Sequence, residues 1–268
     1  MNDIDEMKPS QILKQFFEDF EIDECDQIEI QKIRAGLGEL DGGKYAPKYN
    51  RLIKKWYESL EKGIPDYSVY EEEAYFFDLI VCFLDYSRNY LRTITNPKSF
   101  DGTSSLLNYF GKLDVVVDLG CGMGYTTAFL KKIFPKAEIF GTNIKQSPQY
   151  NFANLLGKKM GFSVVENVSS LNNSVDLIFA SEYFEHFERP MEHLEEVIEN
   201  SKPKYLFIAN SFNTRAIGHF EEYKHGNEII PQNKISRRFN KHLKDLGYEQ
   251  IKTKIFNGKP TLWKKRGD

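Results

Sequence analysis

The chain has 268 residues, 28% of them charged and 41% hydrophobic, with a formal net charge of −3. That size and balance allow a sizeable buried core and exclude a disordered or collagen-like class. The longest apolar run, LIVCFL from Leu79, is too short for a bilayer span, and the polar start MNDIDEMKPS is no secretory signal, so a cytoplasmic protein without membrane contact is expected.

The three cysteines, Cys25, Cys82 and Cys121, are too far apart for a disulfide framework or a zinc site. Charge is uneven: Met1 to Glu29 holds ten acids against two lysines, and Pro231 to the end holds eleven bases against three acids. The plainer reading is solvated helix faces, and the sharper one is a basic part that faces a phosphate-bearing substrate.

Taken in order, the first hundred residues read as helical. PSQILKQFFEDF repeats Ile12, Leu13, Phe16, Phe17 and Phe20 at helical spacing behind Ser10 as N-cap, and a weaker helix lies near Asp26 to Leu37. GLGELDGGKYAPK reads as a loop, followed by helices around Tyr49 to Lys62 and Tyr70 to Thr93. Residues 1–103 are therefore expected to form a helical extension or lid, its aromatic stripe packing as core, the alternative being that some of its rings wall the substrate pocket. A short helix, Ser104 to Phe110, feeds into the first strand.

That strand opens the stretch VVVDLGCGMGYTTAFL. Val115, Val116 and Val117 read as a buried strand, Gly120, Gly122 and Gly124 as a sharp turn, and Tyr125 to Phe134 as a helix stopped by Pro135. Strand, glycine turn and helix make a nucleotide-type site, with backbone N–H groups facing the ligand. Tyr125 stands where a dinucleotide fingerprint would place its third glycine or alanine, and no GK[ST] follows for a Walker loop.

Strands at Asp114 to Leu119, Glu138 to Thr142, Ser163 to Glu166, Val175 to Ala180 and Tyr205 to Asn210 alternate with helices at Tyr125 to Phe134, Ser147 to Met160 and Arg189 to Asn200. A helix near Asn233 to Leu246 ends at Gly247, and EQIKTKIF and TLWKK, linked by NGKP, form an antiparallel hairpin. The fold class is thus α/β, a doubly wound, mostly parallel seven-stranded sheet over 104–268 with a terminal antiparallel hairpin.

DLGCGMG resembles motif I of the class I S-adenosylmethionine (SAM)-dependent methyltransferases, and DLIFASEYFEHFERPMEHLEEVI resembles their fourth-strand region, with Ser181, Glu182, Glu185, His186 and Pro190 at the matching places. The resemblance covers roughly Leu106 to the end. It implies that SAM is the cofactor, that Asp118 and the turn Gly120, Cys121, Gly122 and Gly124 cradle its amino-acid portion, and that Asn143 meets the ribose where the family usually has an acid. It further implies Asn167 at the adenine amino group, Val168 over the adenine face, and Ser181 and Glu182 at the end of the fourth strand. By the open-sheet rule Asp118, Asn143, Asn167 and Ser181 converge on one crevice.

A methyl acceptor hydroxyl must lose a proton, a task suited to histidine, so His186 and His219 are the catalytic candidates. NSFNTRAIGHFEEYKHG, read as a loop at the site edge, offers Arg215, Glu222, Tyr223 and His225 for substrate. No metal is expected, although His219, Glu222 and His225 recur every three residues. The expected acceptor is a small, polar, anionic molecule methylated on oxygen or nitrogen, nucleotide- or sugar-linked or bearing phosphate. DNA is not expected, since SEYF stands where amino-methyltransferases of DNA carry [DNS]PP[YFW]. The alternatives are an RNA or protein methyltransferase, an NAD-type nucleotide enzyme, or a catalytically silent partner subunit, with the leader serving as a lid, a homodimer surface or both.

Overall fold

The computed structural model describes residues 42–72, 75, 93–145, 147–171, 174–255 and 260–267. The two helices expected before residue 41, and most of the one expected from Tyr70 to Thr93, lie outside the described residues. Among those described, α1 spans Gly42–Glu61, which corrects the loop expected up to Lys48. Pro47 is the sixth residue of this helix, so its missing N–H costs the single internal bond it would make to the carbonyl four residues before it. After a 3-10 turn, Tyr67–Glu71, comes α2, Leu106–Phe110, capped by the Ser105 hydroxyl as acceptor for Asn108 N–H.

The sheet core follows the expected alternation. β1 is Val115–Leu119, α3 Tyr125–Ile133, β2 Glu138–Thr142, α4 Pro148–Met160, β3 Ser163–Val165, β4 Leu177–Ser181, α5 Pro190–Ser201 and β5 Tyr205–Ala209. Local chemistry sets the boundaries: Ser147 caps α4 through Tyr150 N–H, and Gly161 ends it in the left-handed region that favours glycine. Pro190 opens α5. The second half then departs from expectation, because the segment read as a loop carries β6, Glu222–His225, the first strand of a hairpin completed by β7, Glu228–Pro231. Helix α6, Gln232–Asp245, and strands β8, Tyr248–Ile251, and β9, Thr261–Lys265, close the chain.

The seven-stranded sheet has the order β3-β2-β1-β4-β5-β9-β8, parallel from β3 through β5 and antiparallel at β9 and β8. Alternation along β1 splits the core into two layers. Val116 faces one layer with Leu130, Phe152 and Phe207, while Val115 and Val117 face the other with Trp56, Leu194 and Phe239. Trp56 is fully buried and donates its indole N–H to the carbonyl of His219 at 2.7 Å, so α1 shares the sheet's core. Among the described residues no helix is long and apolar enough to cross a membrane.

Candidate active site

Strand order reverses between β1 and β4, and in an open sheet this is where a crevice opens beyond the carboxyl ends. A pocket of about 410 Å³ lies there, within the range of roughly 300–1,000 Å³ usual for small-molecule sites. Gly120, Gly122, Asn143 and Ile144 form part of its wall, Tyr67, Tyr70 and Tyr75 another part, and Glu182, Tyr183 and His186 a third.

The glycine turn is shaped by backbone needs. Gly120, Gly122 and Gly124 have φ of 64°, 53° and 83°, a region costly for other residues. A Cβ on Gly120 would come within 2.5 Å of the Tyr183 ring. The end of β2 buttresses the turn: Gly120 N–H donates to Thr142 Oγ1 at 3.0 Å and Cys121 N–H to the Thr142 carbonyl at 2.9 Å. Asn143 spans it, with Nδ2 donating to the Gly122 carbonyl at 2.6 Å and Oδ1 accepting from Ile144 N–H at 2.8 Å. Its carboxamide thus holds the turn, and a sugar hydroxyl would have to share it.

Several residues implied as cofactor contacts lie behind the wall. Asp118 is 2% exposed and accepts the Thr127 hydroxyl at 2.7 Å. Desolvation pushes its pKa from the ordinary 3.8 up to about 7. Cys121 packs on Gly141, where an added Cβ would meet its Sγ at 2.7 Å, and burial with the nearby Asp118 pushes the thiol above its usual range. Gly124 gives room to Ala153 and Phe162, Val168 is core, and Ser181 is buried with its hydroxyl unpartnered. None of these five side-chain positions borders the pocket. What faces it is the backbone of Gly120 and Gly122 with Asn143, Asn167 and Glu182. Asn167 Oδ1 accepts from the hydroxyls of Ser169 and Ser170, which leaves its amide nitrogen as its remaining donor.

The turn after β4 carries the titratable groups. Glu182 adopts φ 51°, unusual for a residue other than glycine, and accepts the Ser211 hydroxyl at 2.9 Å. Glu185 is fully buried beside Glu182; one oxygen accepts Ser211 N–H at 2.6 Å, and among the described residues the other meets no geometric hydrogen-bond partner. Burial first, then the neighbouring Glu182, hold it well above the usual carboxylate range, so it keeps its proton at neutral pH. His186 Nδ1 lies 2.9 Å from the Tyr70 hydroxyl, and burial and His219 push its pKa down to about 3. His186 is therefore a neutral imidazole.

His219 stands one layer deeper, 4% exposed, edge-on to His186 with ring centroids 4.9 Å apart and Nδ1 2.8 Å from the Thr214 carbonyl. Glu182, Glu185 and His219 bring one ligand-type atom each within 4.8 Å of one another, a set able to take a divalent ion once Glu185 gives up its proton.

The four residues proposed for substrate do not reach the pocket wall. Arg215 lies over the Tyr57 ring at 4.3 Å. Glu222 is exposed, Tyr223 is fully buried and donates to the Glu185 carbonyl at 3.3 Å, and His225 turns toward Glu195 and His242. The cause is secondary structure: in a strand successive side chains alternate faces, so a spacing of three no longer groups Glu222 with His225. The signal that could have revealed the hairpin is Gly226-Asn227, a two-residue turn pair between His225 and Glu228. Tyr70, Tyr183, Gln149 and Ile144 also line the pocket and were not singled out for it from the sequence. Ile144, 67% exposed, offers an apolar surface beside Asn143.

The residues present fit an adenosyl donor: a side-chain-free turn, a carboxamide at the end of β2, an exposed apolar face beyond it, and Gln149 Oε1 buried in the wall with no partner among the described residues. A family model described as a methyltransferase domain matches residues 117–208. Comparison with curated protein sequences gives no significant match. Among solved structures, a candidate O-methyltransferase from Nostoc punctiforme is 12% identical over 81% of this chain and 69% of its own, with a TM-score of 0.52. A SAM-dependent methyltransferase from Aquifex aeolicus is 17% identical over 66% of this chain and 95% of its own, at 0.39. The chain spans 45% of the N-terminal domain of EvdMO1 solved with S-adenosylhomocysteine, at 15% identity over 38% of this chain and a TM-score of 0.33. The match over residues 117–208 gives the chain a methyltransferase domain, and the strand order gives it the Rossmann-like fold of the Nostoc punctiforme structure.

Proposed function

We propose that the protein transfers the methyl group of SAM to an oxygen or nitrogen of a small polar acceptor, which lies between the tyrosine wall and Glu182. The carrying observation is one pocket that joins the glycine turn, Asn143 and Ile144 to Tyr67, Tyr70, Tyr75, Glu182 and His186. SAM bound against the turn supplies an activated methyl; the protein supplies position, dryness and a proton acceptor. The tyrosines, contributed by the segment ahead of the sheet, act as the lid over an acceptor with a flat, hydroxyl- or amine-bearing body. Among the described residues that wall holds no Lys or Arg, so a phosphate on the acceptor would project beyond it.

His186, held near pKa 3, is too weak a base to take the proton and serves to position the lid through Tyr70. Of the two carboxylates in the wall, Glu166 is paired with Lys145 at 2.8 Å, so Glu182 is assigned as the proton acceptor. A second reading rests on Glu182, Glu185 and His219: an ion held there would orient acceptor oxygens, and activity would then need a divalent cation and vanish with chelator.

The test is calorimetry with SAM, S-adenosylhomocysteine and NAD, then mass spectrometry of hydroxylated and aminated small molecules after incubation with SAM. Heat with the two adenosyl ligands but not NAD, and a methyl-mass gain on a small acceptor, are expected. Stabilisation by NAD alone would sink the reading, and methylation confined to RNA with steep salt dependence would move it to the polymer alternative.

A further inference from the structure

We propose that the protein has a zinc-type metal site outside the lining of the pocket, made by Glu195 on α5, His225 at the end of β6 and His242 on α6. These three residues, from three elements far apart in sequence, present ligand atoms within 4.8 Å of one another. Glu195 Oε1 lies 2.7 Å from His242 Nε2 and 4.0 Å from His225 Nε2. Ligands at Zn–N and Zn–O distances near 2.0–2.2 Å in a tetrahedron stand about 3.3 Å apart, so the two observed separations bracket the required value and small rotations suffice.

The contacts present do not account for the cluster. Among the described residues the His242 Nε2 atom, shielded from solvent, makes no hydrogen bond despite its short approach to the carboxylate, so the oxygen lies off the ring's bonding direction. His225 and His242 meet edge to face, with centroids 5.0 Å apart. Two imidazoles and one carboxylate suit zinc over calcium or magnesium, which take all-oxygen shells. All three side chains remain partly exposed, at 38% for Glu195, 35% for His225 and 14% for His242, so an ion can enter.

The site would brace the catalytic wall. Strand β6 also carries Tyr223, whose hydroxyl bonds the Glu185 carbonyl, and its tip is already tied to α5 through Gly226 N–H to Glu192 at 2.9 Å. An ion joining α5, β6 and α6 would fix the hairpin behind Glu185 and His219.

The test is residue-resolved acylation of the full chain by diethyl pyrocarbonate, without and with zinc chloride, after chelator treatment and removal of any affinity tag. The chain has five histidines, each distinguishable by mass spectrometry. Zinc should protect His225 and His242 together and leave His193 unchanged. Calorimetry on H225Q/H242Q should show zinc affinity lowered by at least ~10- to 100-fold, the loss that even supporting residues of metal sites cause. Unprotected His225 and His242, or protection of His219 alone, would overturn the site, the latter moving the ion to the Glu182 cluster. Because the acylation arm uses the unaltered chain, it decides the question even where the double variant fails to fold.

Discussion

The Tyr70 hydroxyl lies 2.9 Å from Nδ1 of His186, 116 positions away in sequence. Gly218 closes over that contact, since a Cβ there would sit 1.8 Å from the phenol oxygen and 2.4 Å from Nδ1. The segment ahead of the sheet, the turn after β4 and the chain after β5 therefore meet at one hydrogen bond. Its direction is set by the imidazole tautomer, and burial keeps the phenol un-ionised.

Tyr70→Phe removes that bond and leaves a shielded imidazole nitrogen unpaired, at a cost of about 1–3 kcal/mol. The expected outcome is a melting temperature lower by a few degrees and a turnover reduced roughly tenfold, with SAM affinity unchanged, because the cofactor side of the pocket is untouched. Thermal denaturation and steady-state kinetics check it. Unaltered turnover would make the contact structural only.

Gly120→Ala should separate ligand binding from folding. The substitution forces a side chain into φ 64° and against the Tyr183 ring at 2.5 Å. The left-handed backbone alone costs about 1–2 kcal/mol. Tyr183 must shift into the pocket to relieve the clash, so SAM binding measured by calorimetry should fall by more than tenfold, about 1.4 kcal/mol. A chain that binds SAM normally would show that the turn does not meet the ligand.

Much of the architecture was legible because it is written locally. Three valines ahead of three glycines give β1 and its turn, Pro135 and Gly247 end helices, and the short link before TLWKK forces an antiparallel finish. The β6–β7 hairpin was hidden because EYKH buries little beyond Tyr223 and its apolar partner Ile230 lies across the turn. Asp118 and Cys121 have the residue types of a ligand cradle, but which side of the turn a side chain takes is decided by Thr127 and Gly141, residues from other elements. His219 and His225, neighbours by spacing, end in different clusters for the same reason.

Asp118 makes stability depend on pH with a definite sign. Its pKa rises on folding from the ordinary 3.8 to about 7, so the folded chain holds more protons there than the unfolded chain between those values. The stabilisation is complete below pH ~4 and is lost as pH climbs toward 7, a few kcal/mol at most, at about 1.4 kcal/mol per unit. Glu185 leans the same way. Asp118→Asn stays neutral and keeps an acceptor for Thr127. Denaturation series should show the variant losing less stability than the parent between about pH 5 and 8, with SAM affinity changed by less than about tenfold. Parallel curves would refute the buried protonated acid, and loss of SAM binding would return Asp118 to the cofactor contacts.

Glu182 and Glu185 should respond oppositely to the same change. Glu185 already carries its proton in a fully buried position, so Glu185→Gln replaces one neutral group by another and retains an acceptor for Ser211 N–H. Its stability should match the parent's within about 1 kcal/mol. Glu182 faces the pocket on a strained backbone, shares Ser211 with Glu185 and is assigned the acceptor's proton, so Glu182→Gln should lower turnover by roughly 10²–10⁴-fold while SAM still binds. Single-turnover kinetics with bound SAM measures that loss directly. If Glu182→Gln turns over normally and His186→Gln does not, the proton passes to the imidazole instead, and Glu182 is left as a positioning residue.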